Sequence, residues 1–134
     1  MIAVDTSVVV AAFASWHERH EPARAAVERG PRLPAQAALE SYSVLTRLPP
    51  PHRAGADLVR DFLAFSFPDP TLALTPRAFA AFFTNLAELE IVGGAAYDAL
   101  IAAVALDAGA TLISCDRRAG ATYARLGAAV EYLA

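Results

Sequence analysis

Four acids stand where acids are least expected. Asp5 interrupts MIAVDTSVVV, Glu40 lies within AALESYSVL, Asp98 lies within GGAAYDALIAAVAL, and Asp116 follows the apolar TLIS by one residue. An unpaired carboxylate in such surroundings is costly or shifts toward its neutral form. The remaining acids, such as Glu18, Glu21, Glu28, Asp57 and Asp61, have arginine, histidine or polar neighbours and read as solvated. If the four isolated acids meet, like charges raise one another's pKa, and a cation is needed to keep them ionised together. An all-oxygen donor set favours Mg²⁺ or Mn²⁺ over zinc. Such an ion keeps several waters, bridges to phosphate, lowers the pKa of a bound water and neutralises charge on phosphate oxygens, which is phosphodiester hydrolysis. One ion or two could serve, a pair standing about 3.5–4 Å apart.

Each acid also has a structural reading. Asp5 and Asp116 fall where helix N-caps are expected, Asp98 lies in a first turn where the helix dipole favours an anion, and Glu40 could simply face water. Taken together, however, four acids breaking the most apolar segments point to a shared site.

The elements that must position them follow from hydrophobic patterning. Ile2 to Val4 reads as a short buried strand, with a helix after Asp5 through about Ala14 and another from Pro22 to Arg29. Arg32 to Pro34 is a candidate second strand; Ala35 to Leu48 is a helix stopped by Pro49, Pro50 and Pro51, and His52 to Phe65 is another. Leu72 to Leu74 reads as a third strand. Phe79, Phe82, Phe83, Leu86 and Leu89 recur at helical spacing and read as a core stripe. Ala95 to Ala108 is a nearly all-apolar helix ended by Gly109, followed by strand Thr111 to Ser114, helix Arg117 to Leu126 and strand Val130 to Leu133. Short apolar strands alternating with helices predict a three-layer α/β/α sandwich around a short parallel sheet. Ligands in such sheets bind beyond the carboxyl ends of the strands, where Asp5 and Asp116 fall.

The 134 residues suit one domain, 1–134, with 56% hydrophobic residues. No apolar run approaches the ~20 residues of a membrane span, and the N-terminus has no basic region preceding an apolar stretch, so the expected location is the cytoplasm. A single cysteine, Cys115, excludes a disulfide framework or multi-cysteine zinc site. All eleven basic residues are arginine, which excludes phosphate-loop NTPases and Schiff-base enzymes. A net charge of -3 gives no global attraction for nucleic acid, so RNA binding would need local arginines or a metal.

DTSVVV, ALESYSVLTRL, YDALIAAVAL and LISCDRRA, in that order, resemble the PIN-domain family, and more narrowly its VapC-type toxins. The resemblance covers essentially the whole chain. It implies a metal-dependent ribonuclease, usually dimeric and inhibited by a cognate VapB-type antitoxin, with Asp5, Glu40, Asp98 and Asp116 as metal-binding acids and Ser114 as an accessory hydroxyl. The family often shows another acid or asparagine and then an aromatic residue after the last acid; here Arg117, Arg118, Ala119 and Gly120 follow. A ligand from that loop is therefore not implied.

Arg117 and Arg118 are candidates for the RNA backbone or for a solvated helix start. Arg47, two turns beyond Glu40 on the same stripe, could touch substrate or a partner. Thr6 and Ser7 could fix metal-bound waters or finish the helix cap. The HERH run, His17 to His20, reads as an exposed inter-helix stretch, and Cys115 as an inert strand-end residue. Three functions compete: a metal-dependent endoribonuclease leaving 5′-phosphate and 3′-hydroxyl ends, a catalytically inactive RNA- or antitoxin-binding module of the same fold, and a structure-specific DNA nuclease. The high apolar content also suggests a homodimer.

Overall fold

A computed structural model describes residues 1–134. Its sheet has three parallel strands in the order β1 (Ile2–Val4), β2 (Thr111–Ser114), β3 (Val130–Tyr132). Ile2 pairs with Thr111, Val4 with Ile113, Leu112 with Val130 and Ser114 with Tyr132. Ala3, Val4, Leu112 and Ile113 are fully buried, as an all-parallel sheet covered on both faces requires. The helices are α1 (Thr6–Phe13), α2 (His20–Glu28), α3 (Ala35–Thr46), α4 (Ala56–Ser66), α5 (Pro76–Glu88), α6 (Ala95–Asp107) and α7 (Gly120–Leu126). Around the sheet, α1 packs on α2 and α3, α3 on α4, and α6 on α7, while α1 and α6 both touch β2. The three-layer α/β/α sandwich is the architecture the alternation predicts.

The two central strand candidates shrink to single bridges. Arg32 pairs with Ala3 and Leu72 with Pro34, each parallel and isolated. Pro31 and Pro34, on either side of the Arg32–Leu33 pair, lack the N–H that would extend the ladder with β1, so that edge stops after one rung. Some helix boundaries also move. α2 begins at His20, two residues before Pro22, and α4 begins at Ala56, capped by Gly55, so His52 to Gly55 stay in the loop. The last helix splits into a 3₁₀ turn, Arg117–Ala119, and α7, which ends at Gly127 in the left-handed conformation (φ 79°).

The aromatic stripe of α5 is a larger correction. Thr75 caps this helix by accepting from the Ala78 N–H, with Pro76 at its first position, but none of its residues is buried. Phe79 and Phe83 stack on one another with centroids 6.1 Å apart on the outside of the molecule. Phe82, Leu86 and Leu89 are half-buried on the side that meets α6, while the Phe79 and Phe83 edge of the stripe stays outside. No helix is long and apolar enough to cross a membrane.

Candidate active site

The carboxyl ends of β1 and β2 open onto a cleft of about 560 Å³. Asp5, Glu40, Asp98 and Asp116 all line it, drawn from the end of β1, the middle of α3, the first turn of α6 and the segment after β2. Thr6, Ser7, Arg117 and Arg118 share its wall. Arg47 does not; it ends α3, exposed, and donates to Ser43 Oγ at 2.8 Å. Ser114 lies buried just beneath.

Asp5 serves as cap and cleft residue at once. Its Oδ1 accepts from the Val8 N–H at 3.3 Å, capping α1, and from the Ser7 hydroxyl. Ser7 Oγ in turn accepts from the Cys115 N–H at 2.8 Å, tying the exits of β1 and β2 together. The other carboxylate oxygen accepts from the Tyr123 hydroxyl at 2.8 Å. Only 2% of Asp5 is exposed. Burial pushes its pKa up, and hydrogen bonds from Ser114, Ser7, Tyr123 and Val8 pull it back only in part.

Tyr123 is the residue that sequence reasoning missed. It is buried on α7, and its phenol is pushed well up by burial and by the Asp5 carboxylate, so it is a permanent donor. The signal was a tyrosine among the small residues of GATYARL, since a buried phenol needs a polar partner.

Asp116 caps the 3₁₀ turn by accepting from the Arg118 N–H at 3.0 Å, and Arg118 Nε approaches the same oxygen at 3.5 Å. Ser114 Oγ accepts from the Asp116 N–H at 2.9 Å, fixing the bend that aims this acid into the cleft. Arg117 lies over the Tyr132 ring, 4.6 Å from its centroid. Glu40 accepts from Gln36, one turn back, at 2.8 Å. Asp98 has no such support. Desolvation, then Glu40, Asp116 and Asp5, push its pKa up to about 6. Those three charges act on Asp98 because all four acids face one space.

Cys115 is half-buried, and burial and Asp5 push its thiol up, which keeps it protonated and inert. The HERH run departs from expectation. His17, Glu18 and Arg19 line the cleft, and His17 is half-buried rather than exposed. The turn that starts α2 at His20 folds this segment back over the carboxyl edge of the sheet, where Arg19 Nη1 donates to the Leu133 carbonyl at 2.7 Å.

The donor set suits a hard cation: four carboxylates around one polar cleft, with the buried Thr6 Oγ1 in its wall lacking any hydrogen-bond partner. As placed, no three of the acids stand close enough to ligate one ion directly. A hard cation that keeps part of its water shell can be reached through those waters.

A parallel three-layer sandwich of this kind is consistent with the PIN fold, and the model of the PIN domain family matches residues 2–125; the chain belongs to that family. Within it the chain is similar to VapC-type proteins. Ribonuclease VapC40 of Mycobacterium tuberculosis, in two strains, is 51% identical over 131 residues, covering 98% of each chain. Ribonuclease VapC27 of the same species is 39% identical over 127 residues, covering 94% of this chain and 92% of its own.

Proposed function

We propose that the chain is a Mg²⁺- or Mn²⁺-dependent endoribonuclease, the toxin of a toxin–antitoxin pair acting in the cytoplasm. The observation that carries this reading is the convergence of Asp5, Glu40, Asp98 and Asp116 on one cleft, where the charges of three add to burial in raising the pKa of the fourth. The ribonuclease names of its relatives support the substrate class. The four acids would hold the ion, with the Thr6 hydroxyl as a further oxygen. When bound, the ion supplies an activated water and neutralises charge on the phosphate.

The chain's own residues prepare that chemistry. Ser7 and Tyr123 fix both oxygens of Asp5, and Ser114 fixes the backbone of Asp116. Arg117, Arg118 and Arg19 place positive charge along the rim, where RNA phosphates must pass an otherwise repulsive cleft. The same negative cleft would attract an arginine from a VapB-type antitoxin competing with the metal. The uncovered Phe79 and Phe83 of α5 support a partner surface, of which a homodimer is the simplest use.

Purified protein with Mn²⁺ should cut structured RNA, EDTA should stop it, and Asp5→Asn or Asp98→Asn should abolish cutting in a folded chain. Full activity in both variants would end the reading. A non-catalytic binding module is the alternative that the spacing of the acids favours. Calorimetry separates the two, since a dead cleft takes up no Mn²⁺ at neutral pH. Parallel digestion of RNA and DNA tests the DNA nuclease.

A further inference from the structure

We propose that Trp16 and His52 form a stacking platform for an unpaired RNA base beside the cleft, an inference that rests on the ribonuclease reading above. Trp16 is the only tryptophan, sits in the loop between α1 and α2, and is 50% exposed. A ring of that size is a large apolar area to leave in water. His52, from the loop between α3 and α4, lies against it with centroids 4.3 Å apart and planes tilted by 37°. The adjacent His17 ring is farther off, 6.1 Å away at 41°.

His17 joins this pair to the cleft, whose wall it lines. Its orientation is set: Nδ1 accepts from the Arg19 N–H at 3.0 Å, which leaves the proton of the neutral ring on Nε2 as a donor. Arg19 brings a guanidinium to the same wall, tethered through Leu133. An aromatic run therefore leads out of the acidic cleft, with a cation at its start. Single-stranded nucleic acid binding uses this combination, positive charge for the backbone and ring faces for the bases. The two imidazoles beside Trp16 are polar rings, which suit the face of a base better than an apolar protein anchor. Bases in a helix already have both faces stacked, so the substrate class is RNA with an unpaired base at or next to the cut.

Because Trp16 is the only tryptophan, its emission reports this place alone. The full-length Asp98→Asn chain, with Ca²⁺ to screen the remaining acids, is titrated with a short unstructured oligoribonucleotide carrying a terminal dye. Dye anisotropy gives binding and tryptophan emission gives stacking. Binding should quench the emission; adding Trp16→Ala should weaken binding roughly ten- to a hundred-fold, while Trp16→Phe should retain most of it. A duplex of the same length should quench little. Anisotropy-detected binding with unchanged emission, and equal affinity for the Trp16→Ala chain, would overturn the platform while leaving the ribonuclease reading intact, and would assign this surface to a protein partner. No binding would overturn the platform, and, if the unmodified chain also failed to cut RNA with Mn²⁺, the reading beneath it.

Discussion

Asp98→Asn should make the metal-free protein more stable while destroying its activity. Asp98 titrates near 6 in the folded chain against an ordinary 3.8, because it is partly desolvated and faces Glu40, Asp116 and Asp5. A folded chain that binds more protons than the unfolded one loses stability as pH rises between those values, and the loss is complete above about pH 6. At about 1.36 kcal/mol per pH unit the ceiling is about 3 kcal/mol. Solvent screening of this half-buried group reduces it to about 1.5 kcal/mol. Against this, asparagine gives up the favourable place of an anion in the first turn of α6, about 0.5 kcal/mol. Charge relief wins, leaving the variant about 1 kcal/mol more stable at pH 7, or about 3–5 °C in Tm. Chemical denaturation in EDTA at pH 4.5 and pH 7 checks this, because the advantage should shrink toward zero at the lower pH where Asp98 is largely protonated. A variant less stable than the parent at pH 7, or an offset independent of pH, would refute the electrostatic reasoning.

Tyr123→Phe should cost about 1–3 kcal/mol, since it leaves a buried oxygen of Asp5 without a donor, and should raise the Asp5 pKa further, so RNA cutting should fall more at pH 6 than at pH 8. Mn²⁺ binding should release protons near pH 6, where Asp98 titrates, and few at pH 8; calorimetry in buffers of different ionisation heat reads the number. Gly120→Ala should shift Tyr132, because a Cβ there would stand 2.6 Å from its hydroxyl, and so disturb the ring under Arg117; weaker RNA binding with little change in Mn²⁺ affinity is the expected result.

The four acids were legible because charge inside an apolar segment is a one-dimensional anomaly, visible before any folding. The strands β1 and β2 were legible because short apolar runs bounded by an acid or a glycine have few other uses, whereas β3, with Glu131 at its centre, was legible from its β-prone Val130 and Tyr132 after Gly127. The cap readings of Asp5 and Asp116 also hold, and they coexist with the cleft because an N-cap carboxylate needs only one oxygen for its helix. Arg32 to Pro34 and Leu72 to Leu74 failed as strands because a ladder requires N–H donors in register on a neighbour, a pairwise property no single segment displays.

What the tertiary structure alone decided is which polar groups find each other and which apolar residues stay outside. The phenol of Tyr123 meets Asp5 across 118 positions, and the imidazole of His17 reaches the cleft from a stretch that reads as solvent-facing. Phe79 and Phe83 mark a helical face by spacing, yet spacing says nothing about what lies opposite. The sequence determined where charge is out of place and where the chain must turn. Only packing determined the partners, because hydrogen-bond satisfaction and burial depend on distances between segments rather than on order along the chain.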